Sequence, residues 1–190
     1  ALHYAARRFY APVAMGLFLE GNRLTVNVAN ETRAPFRGRI RLTVCRSDFT
    51  ELERRDIPVE AAALSSPDVA SMTLPELDVY HTYLAADLYD ETGAFLTRRV
   101  ETLVPPKHFD WEKPTVQAAF TDAEGGVEIA VTSDVFTRGV FLDFRDFDCG
   151  LSDNFFSLTN REPYVVFAKT DRTAAQLREN AVIKTVYDIR

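Results

Sequence analysis

A pair of prolines, Pro105-Pro106, separates two runs of short segments in which apolar and polar residues alternate. Proline lacks the N–H that a β-ladder needs, so two in succession end a sheet and stiffen the chain that follows it. We call residues 102–111 the seam, and alternation resumes after it. The 190 residues are enough for two small domains. The chain is therefore predicted to form two β-domains in tandem.

Seven strands are predicted before the seam. Alternating apolar residues, such as Leu24, Val26 and Val28, are typical of a strand with one face in a core. The predicted strands cover residues 14–20, 24–28, 40–44, 52–59, 69–74, 82–88 and 95–104. Pro58 is expected to interrupt the fourth of them, because proline disrupts a ladder. Seven short strands within residues 14–104 are typical of an antiparallel sandwich.

A second, smaller sandwich is predicted after the seam. Glu124-Gly125-Gly126 is a hairpin turn signal between two alternating segments. Phe141 lies on the outer face of its strand, which indicates that this face is also covered. The predicted strands cover residues 116–120, 127–131, 140–144, 164–168 and 182–187, and residues 173–178 are predicted to form one short helical turn.

One short amphipathic helix, residues 2–10, is predicted ahead of the strands. Ala5, Ala6 and Phe9 recur at helical spacing, and Pro12 ends the helix. A single helix before an all-strand pattern is typical of a connector, so we expect it to be loosely held unless it finds a partner. The predicted fold is thus all-β, with a connector at 1–13, a first sandwich at 14–104 and a second at 105–190.

Composition limits the classes of partner and of cellular location. The net charge of −6 argues against a nucleic-acid partner, since phosphates require a basic face. Arg37, Arg39 and Arg41 fall at strand spacing and are predicted to form one solvated face. No apolar run approaches the roughly 20 residues of a membrane span, so no membrane association is expected. Cys45 and Cys149 lie in different halves, which favours a reducing, cytoplasmic location.

The sequence offers no catalytic, cofactor-binding or metal-binding set. His3, His81 and His108 lie far apart, with no second ligand at metal spacing. No glycine-rich loop precedes a helix, and no nucleophile elbow is present. Cys149 has no base near it in sequence and is interpreted as a structural thiol.

An acidic cluster and the single tryptophan are the best polar and aromatic candidates. The cluster comprises Asp143, Asp146, Asp148 and Asp153. Carboxylates of this kind bind calcium or act as acid and base, but the spacing does not match a calcium loop, and turn-capping is the simpler interpretation. Trp111, at the seam, is interpreted as a packing residue that fills a gap between the two domains or against a neighbour, with sugar stacking as the alternative.

Three segments resemble a known family. Residues 2–13 resemble the segment that leaves the catalytic barrel in β-mannosidases of glycoside hydrolase family 2. Residues 105–109 resemble the linker between the last two domains of those enzymes, and Leu151-Ser152-Asp153-Asn154-Phe155-Phe156 resembles a motif of their terminal immunoglobulin-like domain. The order and spacing of all three segments fit, so the resemblance covers essentially the whole chain.

The resemblance implies two tandem immunoglobulin-like antiparallel β-sandwiches that follow a catalytic barrel. Such enzymes hydrolyse terminal β-mannosides with retention, using two carboxylic residues of the barrel, and neither has a counterpart in this chain. The implied role is non-catalytic, with the barrel of the same polypeptide as partner and mannose-containing glycans as a further possible ligand. Trp111, Asp146, Asp148 and Asp153 are the candidates for a sugar rim or an interdomain contact. The alternative is an independent carbohydrate-binding or protein-interaction module.

Overall fold

A computed structural model of the protein describes residues 2–189. The chain forms two compact units. The first is Ala5–Asp110, and the second begins at Trp111 and includes the N-terminal residues up to Tyr4. Residues 1 and 190, the outer limits of the predicted domains, lie outside the described residues. No helix within the described range is long and apolar enough to cross a membrane.

The first unit is a sandwich of two antiparallel sheets. One sheet has the strand order β1-β2-β5 and the other β4-β3-β6-β7. The elements are α1 (Leu2–Phe9), β1 (Val13–Glu20), β2 (Arg23–Asn30), β3 (Phe36–Arg46), β4 (Glu51–Ala61), β5 (Asp68–Thr73), β6 (Thr82–Asp90) and β7 (Phe95–Thr102). All seven predicted strands and the short helix are therefore present.

The core of the first unit is built by the alternating residues on which the prediction rested. Leu24, Val26 and Val28 of β2 are fully buried, and so are Ile40 of β3 and Leu84 of β6. Each such side chain contributes about 1.5–3 kcal/mol of transfer free energy. A slip of one residue in register would turn this whole set to solvent, so the pattern itself fixes the pairing.

The fourth strand runs through Pro58, so the expected interruption is wrong. Pro58 is a full member of β4 and lies opposite Arg39 of β3. The strand tolerates it because β4 is the edge of its sheet, where a residue without an N–H need not complete a second ladder. The inner strand β6 is covered on both faces, since Tyr83 and Ala85 are buried as well as Leu84.

The predicted arginine face is confirmed on the outer surface of β3 and β4. Arg37 lies 3.5 Å from Glu60. Arg39 and Arg41 share Asp56, at 3.7 Å and 3.2 Å. The hydrogen bond from Arg41 is the main cause that lowers the pKa of Asp56. The three arginines are thus paired within the unit.

The second unit is also a sandwich of two antiparallel sheets, ordered β11-β13-β9-β8 and β12-β10-β14. A 3-10 helix, Pro106–His108, lies ahead of it in the seam, and a second one, Val186–Ile189, follows the last strand. Its elements are β8 (Gln117–Ala123), β9 (Gly126–Thr132), β10 (Thr137–Phe144), β11 (Gly150–Leu151), β12 (Phe156–Leu158), β13 (Tyr164–Lys169), α2 (Ala174–Asn180) and β14 (Ala181–Lys184).

The helical turn predicted at 173–178 is the helix α2. Thr173 caps it in a capping box with Gln176, which satisfies backbone N–H groups that have no partner within the helix. The N–H of Ala174 also donates to Asp122 Oδ1 at 2.6 Å, and Leu177 is fully buried against the core. The all-β prediction, with two sandwiches and a short N-terminal helix, is confirmed.

Candidate functional site

The acidic cluster does not converge. Asp143, Asp146 and Asp148 are exposed, and Asp143 accepts a hydrogen bond from the N–H of Phe144 at 2.9 Å. In the described part of the chain, no group of three or more His, Cys, Asp or Glu is placed to hold a metal ion. The cluster is therefore close in sequence without forming a ligand set in space.

The carboxylate of Asp153 accepts two hydrogen bonds of its own. Its Oδ2 accepts from the hydroxyl of Tyr164 at 2.6 Å, and its Oδ1 accepts from the N–H of Asn154 at 2.8 Å. These bonds tie a loop to strand β13. They give Asp153 a structural task within the second unit.

The residues Ser152–Asn154, which we call the crossing segment, carry the chain from one sheet of the second unit to the other. Ser152 N–H donates to the carbonyl of Phe167 at 2.8 Å, and the Phe167 N–H donates to Ser152 Oγ at 2.8 Å. The side-chain amide of Asn154 likewise bonds both backbone groups of Leu142 in β10. The Leu142 N–H donates to Asn154 Oδ1 at 2.9 Å, and Asn154 Nδ2 donates to the Leu142 carbonyl at 2.8 Å.

Each end of the crossing segment thus completes a pair of hydrogen bonds like those of a β-ladder. Asn154 is only 4% exposed, so its amide replaces a neighbouring strand for Leu142. Buried backbone groups require such partners. Sequence analysis included Asn154 in a motif but missed this role, because asparagine in a loop ordinarily indicates a turn. The available signal was its position directly before Phe155-Phe156.

Aromatic rings flank the crossing segment. Phe155 adopts a positive φ of 56°, which is uncommon for a bulky residue. Its ring stacks on Phe141 at 5.0 Å, so the predicted cover on the outer face of β10 is confirmed. Tyr4 lies 6.3 Å from the Phe155 ring, and its hydroxyl donates to the carbonyl of Leu151 at 3.5 Å.

Trp111 is a packed residue of the second unit. It is 8% exposed, and its indole stacks on Phe136 with ring centroids 5.6 Å apart. A sugar-stacking aromatic needs a free face. The burial therefore favours packing over sugar stacking, the two interpretations left open by the sequence.

Neither cysteine has the surroundings of a nucleophile. Both are unpaired, and burial raises the pKa of Cys45 and of Cys149. Asp143 and Asp148 raise the pKa of Cys149 further. A thiol in such a place is mostly protonated at neutral pH and correspondingly unreactive.

The end of α1 is held to the first unit by Arg99. The Nε of Arg99 donates to the carbonyl of Met15 in β1 at 2.8 Å, and the ring of Phe9 lies 4.6 Å from the guanidinium carbon. Burial, and then the neighbouring Arg8, lowers the pKa of Arg99. Phe9 and Tyr10 remain 63% and 87% exposed. Arg99 therefore anchors the helix end, while the aromatic side chains of Phe9 and Tyr10 remain largely exposed.

Replacing Arg99 with alanine is expected to loosen this helix end and to cost about 2–4 kcal/mol, the sum of a hydrogen bond from a charged donor and a cation–π contact. The readout is exchange of the Tyr10 amide, which donates to Ala6 at 2.8 Å. Arg99→Lys, which keeps the charge, should exchange at an intermediate rate. An unchanged Tyr10 exchange rate in Arg99→Ala would rule out the anchor.

The chain matches solved structures over nearly its full length. A β-D-mannosidase from Dictyoglomus thermophilum aligns with 96% of this chain and 22% of its own, at 17% identity and a TM-score of 0.84. The exo-chitosanase CsxA from Amycolatopsis orientalis aligns with 96% of this chain and 26% of its own, at 17% identity and a TM-score of 0.65. At such identities the likeness shows the fold, and the chain spans about a quarter of each enzyme. No curated protein matches it in sequence.

Two family models match, one in each half. The Mannosidase Ig/CBM-like domain matches residues 22–108, and an Ig-fold domain of the Ig_mannosidase family matches residues 111–189. Each match falls on one of the two sandwiches. The chain therefore belongs to the immunoglobulin-like region of the mannosidases, with an Ig/CBM-like domain followed by an Ig-fold domain.

Proposed function

We propose that this chain is the non-catalytic C-terminal part of a retaining β-mannosidase of glycoside hydrolase family 2. Its two sandwiches support a catalytic barrel in the same polypeptide, and the barrel carries the two carboxylic residues that cleave terminal β-mannosides. We also propose the domain limits 1–13, 14–104 and 105–190, with the first range as the connector from the barrel.

The share of each chain in the structural match is the main support for the proposal. The match to the Dictyoglomus thermophilum mannosidase covers 96% of this chain but only 22% of that one, as expected of one region within a much larger enzyme. The two mannosidase immunoglobulin-like matches lie side by side in the same chain. A fold alone does not establish an activity, so the proposal rests on both findings together.

The end of α1 supports attachment to a preceding domain. None of the described side chains of α1 is buried, and Phe9 and Tyr10 are largely exposed. Large aromatic residues left in water favour burial against a partner. We propose that the barrel of the same polypeptide covers them.

The isolated chain is expected to fold and to show no hydrolysis of a chromogenic β-mannoside. Each unit has its own buried core, which explains folding without the barrel. The control is the full-length enzyme assayed at equal molar concentration. Turnover above background, in protein freed of contaminating hydrolase, would overturn the non-catalytic role.

Glycan binding by the first unit is the second candidate, favoured by its match to an Ig/CBM-like domain. An open groove of about 430 Å³ lies there, lined by Arg37, Glu60, Asp90 and Thr92 among others, and such polar groups suit a ligand rich in hydroxyls. Calorimetric titration with mannobiose and chitobiose distinguishes the two roles. Binding that Arg37→Ala abolishes would favour the module, and no heat with either sugar would favour support alone.

We further propose a cytoplasmic location, from the two unpaired cysteines. The net charge of −6 supports the absence of a nucleic-acid partner. We also propose that the protein does not associate with membranes. Trp111, Asp146, Asp148 and Asp153 remain proposed contacts to a sugar rim or another domain, with the burial of Trp111 against Phe136 favouring the packing role.

A further inference from the structure

His81 lies between two carboxylates from different segments of the first unit. Its Nδ1 is 2.9 Å from Asp78 Oδ2, in the loop before β6, and its Nε2 is 3.4 Å from Asp110 Oδ2, near the end of the seam. Both ring nitrogens thus face an acceptor. A neutral imidazole has one N–H and donates to only one of them, whereas the imidazolium has two.

The backbone of His81 is fixed independently of its ring. Its carbonyl accepts from the N–H of Ser47 at 2.9 Å and from the Ser47 hydroxyl at 3.1 Å. Asp110 contacts the same loop, because its N–H donates to the carbonyl of Tyr80 at 3.0 Å. The backbone at His81 is therefore held in place, and the end of the seam is attached to the same loop.

We propose that protonation of His81 fastens the end of the seam to the first unit. Asp110 is then held more tightly at about pH 5.5 than at about pH 7.5, two values on either side of the range in which histidine ordinarily titrates. The charged groups facing His81 in the described chain are Asp78, on its own loop, and Asp110, on the seam. As pH rises, the second N–H is lost and a lone pair faces one carboxylate.

The contact on the other side of the ring favours a charged carboxylate as well, because the hydrogen bond with His81 is the main cause that lowers the pKa of Asp78. His81 therefore has an acceptor at each ring nitrogen.

Asp110 is the last residue of the first unit, and Trp111 begins the second. The clamp thus acts at the point where the chain leaves one sandwich. The inference does not depend on the enzyme from which the chain derives. The side chains of His81 and Asp110 are 46% and 66% exposed, so the effect is modest and weakened by salt.

The test is hydrogen exchange of the Asp110 amide by NMR, expressed as protection relative to an unstructured chain. At low salt, protection in the wild-type chain should be about two- to fivefold greater at pH 5.5 than at pH 7.5, the range of an exposed ion pair. His81→Gln should remove this pH dependence. His108→Gln, a change of the same kind within the seam, should retain it.

Equal protection at the two pH values in the wild-type chain would overturn the clamp. So would a pH dependence that persists in His81→Gln. Asp110→Asn supplies a second readout, because exchange of the amide at position 110 should then be protected equally at pH 5.5 and pH 7.5. A pH dependence that persists in that variant would contradict the contact between His81 and Asp110.

Discussion

Replacing Asn154 with alanine should lower the free energy of unfolding of the second unit by about 3 kcal/mol, because two buried backbone groups lose their partners at about 1–3 kcal/mol each. Those groups are the N–H and carbonyl of Leu142. Asn154 is 4% exposed, so water does not replace the amide. The measurement is urea unfolding, with exchange of the Leu142 amide as the local readout.

Asn160→Ala is the matched control. Asn160 is exposed, and its Oδ1 accepts one bond, from the N–H of Glu162 at 3.0 Å. Its loss is expected to cost less than about 1 kcal/mol. Asn154→Asp keeps an acceptor for the Leu142 N–H and loses the donor to the carbonyl, so it should fall between the two. Equal stabilities of Asn154→Ala and Asn160→Ala would mean that the crossing segment does not hold the sheets.

Replacing Gly126 with alanine should cost about 3 kcal/mol, the upper part of the usual range for overpacking. A Cβ on Gly126 would lie 2.1 Å from the carbonyl oxygen of Ala168 and 2.8 Å from the ring of Phe167. The first obstacle is backbone of the neighbouring strand β13, which moves only if the pairing shifts. Thermal unfolding of the variant, followed by circular dichroism, measures the loss.

Gly150→Ala is the control for Gly126→Ala. Both glycines lie opposite Lys169 of β13, but a Cβ on Gly150 would meet nothing within 4 Å. The change at Gly150 should therefore be neutral, within about 0.5 kcal/mol. If both variants melt at the wild-type temperature, the close approach of β9 and β13 is wrong. A Cβ on Gly38 would likewise lie 2.1 Å from the carbonyl oxygen of Tyr89. We therefore expect Gly38→Ala to destabilise the first unit by a similar amount.

The strands that could be predicted are those whose pairing buries an alternating set. Val127, Ile129 and Val131 have this pattern and are fully buried in β9. Such a strand needs only local information, because one face of a sheet must meet a core. The hydrophobic period was therefore enough to predict the long strands of both sandwiches.

The strands that were missed have no local pattern. β11 has two residues and β12 has three, and the chain between them is held by side-chain bonds to β13 and β10. Ser152 bonds Phe167, 15 residues away, and Asn154 bonds Leu142, 12 residues away. Such contacts are set by the folded arrangement and not by the residues that flank them.

The candidate residues show the same division between local and distant information. Trp111 was predicted to pack between the domains or against a neighbour. Its burial against Phe136 within the second unit follows from its size and its apolar ring. Asp153 was predicted to be a member of an acidic cluster, but its carboxylate accepts a hydrogen bond from Tyr164 of strand β13. The contact of His81 with Asp110 was equally hidden, since Asp110 is distant in sequence and lies near His81 only in the folded chain.

The most direct test of the central claim is the mass of the native polypeptide, by immunoblot of source cells with antibody against this chain, combined with β-mannosidase assay of the precipitated protein. Since the chain spans 22% of the Dictyoglomus thermophilum enzyme, we expect a band about four to five times heavier than 21.5 kDa that carries the activity. A band at 21.5 kDa, or a heavier band that does not hydrolyse β-mannosides, would contradict the claim.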